Sequence, residues 1–325
     1  MINRANMTSS MIPLTEFYMA RKRVQRWARR TPFELSHGLS KLIDGKVYLK
    51  LENQQLTGSF KIRGATNKML LLSEEEKNRG VVTASAGNHA QGVGYVAEKL
   101  GIKARIIVPK ITPKVKTDAI SKYDVDLIVS GEEYMDSEKL ARKMEKDEGM
   151  TFVSAYNDVD LLKGQGTIGL EMIEEVPQLD TVVIPVGGGG LAGGISSVIK
   201  QASNASVVGV QSDACPVMYE CIKKGVIHEI PMRDTYAEGL HGGIEPGSVT
   251  FEVCRDNIDE WIIVTEDQIL DAIKYLLHES HMLVEGAGAV GVAAIRSDPD
   301  RFKGEKVGIV ISGGNLAMDT LKLVN

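Results

Sequence analysis

The sequence contains little cysteine. Cys215, Cys221 and Cys254 are the only three in 325 residues, and none belongs to a CxxC pair. An odd number of scattered cysteines indicates neither a disulfide framework nor a zinc site, so we expect reduced, buried thiols. The sequence also lacks an apolar run near the ~20 residues that cross a bilayer, and its start lacks the apolar segment of a signal peptide. We therefore expect a cytoplasmic protein without a membrane-spanning segment.

Positive charge is not in excess either. The formal net charge is -5 at pH 7, whereas a protein that binds nucleic acid is expected to show a basic surface, so we expect no nucleic-acid partner. The local exception is the basic segment "ARKRVQRWARR" at residues 20–30, where Val24, Trp27 and Ala28 recur at helical spacing. This pattern predicts an amphipathic helix whose arginines face solvent.

What the sequence does contain is a regular alternation of strand and helix patterns. From residue 81 onward the predicted strands are "VVTA", "ARIIV", "VDLIV", "TFVS", "TVVIPV", "SVVGV", "EWIIV" and "KVGIVIS". Such apolar strands, separated by amphipathic helices, are typical of parallel sheets covered on both faces, and they predict an α/β fold. We expect the chain to cross between two sheets near residues 66 and 152. The predicted domains are a larger one, residues 1–66 and 153–325, and a smaller one, residues 67–152.

The first candidate binding loop is "PVGGGGLAGG", between a predicted strand and a predicted helix. Consecutive glycines let backbone N–H groups turn toward an anion, and the positive end of the following helix adds to the attraction, which favours a phosphate. The same letters fit G-x-G-x-x-G through Gly188, Gly190 and Gly193, with Asp213 about twenty residues later, as in a dinucleotide site. Four consecutive glycines exceed what a pyrophosphate turn requires. We favour a phosphate monoester and keep the dinucleotide as an alternative.

Two more loops follow predicted strands, where ligands bind in parallel α/β sheets. In "ASAGNHAQG", Ser85, Asn88 and His89 supply donors suited to a carboxylate, although Ser85 or Asn88 could equally cap the helix. In "ISGGN", Ser312 could cap a helix or face a ligand. A further segment, "LTGSFKIRGAT", places Lys61 after a small, flexible turn, where a lysine taken alone is usually a solvated charge.

Together these segments carry a family resemblance. "TGSFKIRGA", "ASAGNHAQG", "GGGGLAGG", "VEGAGAVGVAA" and "SGGN" all occur, and they span nearly the whole chain. In this the sequence resembles the fold-type II pyridoxal-phosphate enzymes, which have a tryptophan synthase β-like fold. Within them it is most similar to the threonine/serine dehydratases, relatives of serine racemase. The resemblance implies two parallel-type sheets flanked by helices, and a homodimer or homotetramer.

The resemblance also implies a role for each segment. Lys61 would form the imine with pyridoxal 5'-phosphate, Phe60 would pack near its ring, and Ser312 would hydrogen-bond its pyridine nitrogen. The other residues implied at the cofactor are the phosphate-binding Gly187, Gly188, Gly189, Gly190 and Leu191, then Asn88 at the phenolic oxygen, and, without a defined role, Gly239 and Glu285. The substrate carboxylate would be bound by the loop residues Ser85, Ala86, Asn88 and His89.

The reaction expected at such a site is an elimination. An amine freed at Lys61, beside the Cα–H bond of the substrate, is suited to act as general base, and the cofactor is suited to act as electron sink. Loss of the β-hydroxyl group from L-threonine would give 2-oxobutyrate and ammonia, and L-serine would give pyruvate. A hydrophobic pocket distinguishes one methyl group by only ~1–3 kcal/mol, so the preferred β-hydroxy amino acid stays open.

Some features bear on the competing expectations. Ala86 stands where the related racemases have a second hydroxyl, so we expect little racemisation, and a serine racemase stays an alternative.

Gln211 stands where racemase-like relatives have an acidic metal ligand, although Asp213 is still a possible ligand for a divalent cation. The sequence ends directly after its last predicted helix, so we expect no carboxy-terminal regulatory module. Two more distant alternatives are a nicotinamide-dependent oxidoreductase and a non-catalytic amino-acid sensor.

Overall fold

The computed structural model describes residues 11–324. Its helices are α1 (Leu14–Val24), α2 (His37–Leu42), α3 (Lys61–Leu70), α4 (Glu74–Arg79), α5 (Asn88–Leu100), α6 (Lys114–Ile120), α7 (Tyr134–Glu148), α8 (Val159–Glu175), α9 (Gly190–Ala202), α10 (Val217–Lys224), α11 (Val249–Asn257), α12 (Glu266–His278), α13 (Gly286–Ser297) and α14 (Met318–Leu323). Its strands are β1 (Phe33–Ser36), β2 (Lys46–Leu51), β3 (Val81–Ala84), β4 (Ala104–Val108), β5 (Asp126–Val129), β6 (Thr151–Phe152), β7 (Thr181–Pro185), β8 (Ser206–Ser212), β9 (Glu260–Val264) and β10 (Lys306–Ile311).

The larger sheet has six strands in the order β1-β2-β10-β7-β8-β9. β1 runs antiparallel to β2, and every other neighbouring pair is parallel. Helices cover both faces of the inner strands, which explains why these strands are almost continuously apolar. β10 lies between β2 and β7, so the segments that follow these three strands meet at one edge of the sheet.

The smaller sheet has four parallel strands in the order β5-β4-β3-β6. All four lie between residues 81 and 152, inside the segment predicted to form the smaller domain. The predicted α/β class with two mostly parallel sheets is confirmed. The boundaries of the two domains stay a prediction.

The eight strands predicted from residue 81 onward are all present, whereas β1 and β2 were missed. β2 reads "KVYLKL", and a lysine within an apolar segment weakens the sequence signal of a buried strand. Lys50 is nevertheless fully buried, because its amine lies 2.6 Å from the Glu171 carboxylate. Buried charges in proteins are normally paired in this way.

The basic segment at residues 20–30 does not form one helix, contrary to the prediction. α1 ends at Val24, and the chain then turns through residues 25–27. Beyond the turn, the side-chain amide of Gln55 accepts a hydrogen bond from the Arg29 N–H at 2.8 Å and donates one to the Arg29 carbonyl at 2.9 Å. These bonds to a distant residue replace the helical ones, and no local pattern indicates them.

Close helix packing supports the edge of the larger sheet. A Cβ atom on Gly164 of α8 would lie 2.6 Å from the Arg63 carbonyl of α3, and one on Gly166 would lie 2.7 Å from a carbonyl of α9. Glycines at these positions therefore let α8 approach both neighbours closely. Both α3 and α9 therefore pack directly against α8.

Two further expectations concern thiols and membrane spans. Cys215, Cys221 and Cys254 are free and buried, as predicted. Across residues 11–324, every helix is too short or too polar to cross a membrane.

Candidate active site

Lys61 opens α3, in the segment that follows β2. Its amine donates a hydrogen bond to the Ala155 carbonyl at 2.8 Å and lies 5.2 Å from the centre of the Phe60 ring. Burial among protein atoms lowers the pKa of this amine to about 8, and the negative charge of Glu285 opposes the shift. Lys61 thus differs from a solvated surface lysine, because much of its population is neutral near pH 8.

Arg63, two residues further along α3, is part of a buried charge cluster. Its guanidinium group donates to both carboxylate oxygens of Glu52, at 2.9 and 2.8 Å, and also to Glu171. With Lys50 the cluster contains two positive and two negative side chains, and each of the four is at most 5% exposed. The cluster fixes the first turn of α3 and therefore the backbone of Lys61.

The glycine loop follows β7 and opens α9. Gly189 has a φ of +87°, a left-handed conformation that favours glycine. The Tyr156 ring packs on Gly188, where a Cβ atom would lie 2.5 Å from the ring, and Leu191 is buried at the start of the helix. The loop thus places backbone N–H groups at the positive end of a 13-residue helix, an arrangement that binds phosphate.

The asparagine loop follows β3 and opens α5 at Asn88. Ser85, Ala86 and Asn88 are half-buried, and the Ser85 hydroxyl accepts a hydrogen bond from the Gly87 N–H at 3.3 Å. The first N–H groups of a helix have no partner within it, so the first turn of α5 can bind a carboxylate.

His89 is buried in the same loop and is neutral. Its Nε2 lies 3.0 Å from the Val153 carbonyl, which only accepts, so this nitrogen carries the proton. Burial and the positive charge of Lys61 lower the pKa of the imidazole to about 3. The side chain is therefore directed to Val153, and only the backbone N–H of His89 is available to a substrate carboxylate.

Glu285 directly precedes α13, and Ser312 directly follows β10. The Glu285 carboxylate accepts a hydrogen bond from Asn88 Nδ2 at 2.7 Å, and burial raises its pKa to about 7. Ser312 follows β10, and its carbonyl accepts from the Phe60 N–H at 3.1 Å. The Ser312 hydroxyl makes no hydrogen bond within the part of the chain that the structure describes. Gly239 borders Glu285, since a Cβ atom there would lie 3.7 Å from the carboxylate.

These residues fit pyridoxal phosphate. A half-buried amine of lowered pKa suits attachment to an aldehyde, and the glycine loop at the start of α9 suits a phosphate. The unpartnered Ser312 hydroxyl suits a ring nitrogen. Because a hydroxyl carries no charge, it would leave that nitrogen largely unprotonated, unlike a carboxylate.

The structure gives little support for a divalent cation. Among the residues it describes, no group of three or more His, Cys, Asp or Glu side chains is placed to hold a metal ion. Asp213 lies 3.1 Å from the Arg233 guanidinium. Gln211 is buried, and its amide donates to the Val186 carbonyl at 3.1 Å and accepts from the Tyr219 N–H at 2.8 Å.

Three residues that border the site could not be predicted from the sequence. Ala155 contributes only its carbonyl, and Asn315 stands in the quoted "SGGN" motif but received no role. Tyr156 packs on the glycine loop, and its hydroxyl accepts from the Glu245 N–H at 3.0 Å. Each of these residues contacts partners that are distant in the sequence, so no local pattern indicates its place in the site. The one sequence signal was the "SGGN" motif, which contains Asn315.

Comparison with known proteins gives consistent matches. Residues 24–313 match the family described as "pyridoxal-phosphate dependent enzyme". The chain is 42% identical over 317 residues to an L-threonine ammonia-lyase of Thermotoga maritima. The aligned region covers 97% of this chain and 79% of that relative. The processed form of threonine deaminase isoform 2 from Solanum lycopersicum superposes with a TM-score of 0.91 at 33% identity, over 96% of this chain and 92% of that one. Maize serine racemase superposes with a TM-score of 0.90 at 31% identity, over 96% of both chains.

Proposed function

Because this chain belongs to the family of pyridoxal-phosphate-dependent enzymes, we propose that it eliminates water from L-threonine, and from L-serine, and releases ammonia with 2-oxobutyrate or pyruvate. The observation that carries the proposal is the Lys61 amine, which is held at the Ala155 carbonyl and has a pKa lowered to about 8. The identity to a relative named L-threonine ammonia-lyase supports threonine as the substrate.

Lys61 transfers the proton in this reaction. Pyridoxal phosphate, when bound, supplies an electron sink for the negative charge that develops at the substrate Cα. The proton moves from Cα to Nζ of Lys61, and the electron pair left at Cα forms the Cα–Cβ double bond. The β-hydroxyl group takes up a proton from solvent and leaves as water. Hydrolysis of the resulting enamine by another water molecule releases ammonia and the 2-oxo acid. A base with a pKa near the working pH is efficient at such transfers.

The remaining residues bind and orient the cofactor and the substrate. The glycine loop, residues 187–190, with Leu191 holds the phosphate, Phe60 packs near the ring, Asn88 donates to the phenolic oxygen, and Ser312 lies at the ring nitrogen. The first turn of α5 binds the substrate carboxylate through its N–H groups, together with Ser85. Ala86 lies in this loop and has no proton to transfer, which favours elimination over racemisation.

We also infer a homodimer or homotetramer in the cytoplasm. Three free, buried cysteines suit a reducing compartment, and the family resemblance supports assembly. Light scattering on the purified protein tests the assembly, and a mass equal to one chain would contradict it.

The decisive experiment compares wild type with Lys61→Ala on a panel of β-hydroxy amino acids. Release of 2-oxo acid is expected from wild type with L-threonine, and it is expected to fall by at least ~100-fold in the variant because the base is lost. Lys303→Ala, at an exposed lysine, is the matched control and should retain activity. Equal rates for wild type and Lys61→Ala would refute the proposal. Threonine binding without any 2-oxo acid would favour the amino-acid sensor.

A further inference from the structure

Two asparagine amides form a short hydrogen-bonded chain that begins at a backbone carbonyl. Asn315 Nδ2 donates to the Thr57 carbonyl at 3.0 Å and to Asn88 Oδ1 at 2.6 Å. Asn88 Nδ2 donates in turn to the Glu285 carboxylate at 2.7 Å. This hydrogen-bonded chain of amides connects the segment before α3, the segment after β10 and the first turn of α5.

The direction of this chain is fixed at its start. A backbone carbonyl only accepts, so the Asn315 atom that faces Thr57 is the nitrogen. The second N–H of that nitrogen meets Asn88, whose facing atom must then be the oxygen. Asn88 therefore turns its nitrogen toward Glu285 and keeps its second N–H for another acceptor. An unrestrained asparagine could present either atom, because its amide oxygen and nitrogen have nearly the same shape.

Two glycines make room for the chain. A Cβ atom on Gly58, which has a φ of +72°, would lie 2.5 Å from the Asn315 amide oxygen. A Cβ atom on Gly313 would overlap the Glu285 carboxylate. The backbone N–H of Gly314 also donates to the Gly58 carbonyl at 2.9 Å, which holds the two segments together. The "SGGN" motif is thus explained beyond Ser312, since its glycines and its asparagine serve the chain of amides.

We propose that Asn315, together with Glu285, is a positioning residue that fixes Asn88 as a hydrogen-bond donor toward the bound cofactor. The inference rests on the proposed function, in which Asn88 meets the phenolic oxygen of pyridoxal phosphate. An ionised phenolic oxygen accepts hydrogen bonds, so it is stabilised by the Asn88 N–H and destabilised by an amide oxygen in the same place. The ionisation of the cofactor then depends on Asn315, which acts only through Asn88.

The test replaces Asn315 in the holoenzyme and measures the absorption spectrum of the bound cofactor. A carboxylate at this position only accepts, so in Asn315→Asp the Asn88 amide turns over and presents its oxygen to the cofactor. The ratio of the visible band to the near-ultraviolet band is expected to fall about two- to tenfold, the shift that one hydrogen bond of ordinary net strength produces. Asn204→Asp, at an exposed asparagine, introduces the same charge and should leave the ratio unchanged.

A double variant separates positioning from a general structural effect. In an Asn88→Ala background, Asn315→Asp is expected to change the spectrum no further. An unchanged ratio in Asn315→Asp alone, or an equal shift in the Asn88→Ala background, would overturn the inference. If Asn315→Asp fails to fold, the double variant Asn315→Ala, Glu285→Ala is used instead, because it removes both partners that orient Asn88; a ratio unchanged from wild type there would also overturn the inference. Failure of the wild type to gain a cofactor band would instead refute the proposed function, so the two failures are distinguishable.

Discussion

Arg63 and Glu171 form a two-pronged ion pair, with Nη1 2.6 Å from Oε1 and Nη2 2.9 Å from Oε2. Arg63 belongs to α3, two residues beyond Lys61, and Glu171 belongs to α8. The pair therefore ties the turn that carries the proposed catalytic lysine to α8. Such a planar fork is specific to arginine, since a lysine amine cannot make two parallel bonds.

Breaking this pair is expected to destabilise the fold strongly. Glu171→Gln leaves Arg63 and Lys50 without their shared carboxylate, and breaking a buried pair costs ~3–5 kcal/mol. The free energy of unfolding, measured in urea, should fall by that amount. Asp118→Asn breaks the exposed pair with Lys114 and should cost at most ~1 kcal/mol. An equal loss of unfolding free energy in the two variants would show that the buried cluster stabilises the fold no more than a surface pair does.

Gly188→Ala is expected to weaken cofactor binding. The added methyl group would lie 2.5 Å from the Tyr156 ring and would displace the ring or the loop. Overpacking of ~1–3 kcal/mol corresponds to roughly 5- to 150-fold in affinity. Titration of the cofactor-free protein with pyridoxal phosphate measures the change. Gly225→Ala is the control: its φ of +78° makes alanine strained there, but the turn is exposed and open, so stability changes and affinity should not. A loss of affinity as large as in Gly188→Ala would contradict the explanation.

Attachment of the cofactor is expected to depend on pH with a midpoint of about 8. Only the neutral amine of Lys61 attacks an aldehyde, and burial lowers the pKa of that amine, so the reactive form appears as the pH rises through about 8. The rate of absorbance growth after mixing, followed at several pH values, gives the midpoint. Glu285→Gln should move it lower, because the negative charge of Glu285 raises the pKa of Lys61. A rate still rising above pH ~10 would indicate a solvated lysine.

Racemisation is expected to be slow. Ala86 offers no proton on its side of the site, so D-serine should form from L-serine at least ~100-fold more slowly than pyruvate, the factor that a missing acid typically costs. Chiral chromatography of the reaction mixture measures both products. Ala86→Ser restores a hydroxyl and should increase the yield of D-serine. If the wild type formed D-serine and pyruvate at comparable rates, another group would have to protonate Cα from the side of Ala86.

Much of the fold followed from short-range patterns, and the missed parts depend on long-range contacts. The strands from residue 81 onward and the helix starts at the loops could be predicted because periodicity and glycine position are local properties. β2 was missed because Lys50 looks polar until Glu171 pairs with it. The end of α1 depends on Gln55, far along the chain. Within the site, motifs indicated Lys61 and the glycine loop, whereas the place of Tyr156 follows from packing that sequence letters do not show.

One of the two central strands of the larger sheet, β10, is also the last of its six strands in sequence order. β10 separates β2 from β7, so these two strands gain their parallel neighbour only after residues 306–311 have been synthesised. Until then β2 and β7 each lack a neighbour, and the segment after β10 that contains Ser312 and Asn315 is also absent. We therefore expect the proposed cofactor site to assemble only after β10 has been synthesised, because domains form as units once all their strands are available.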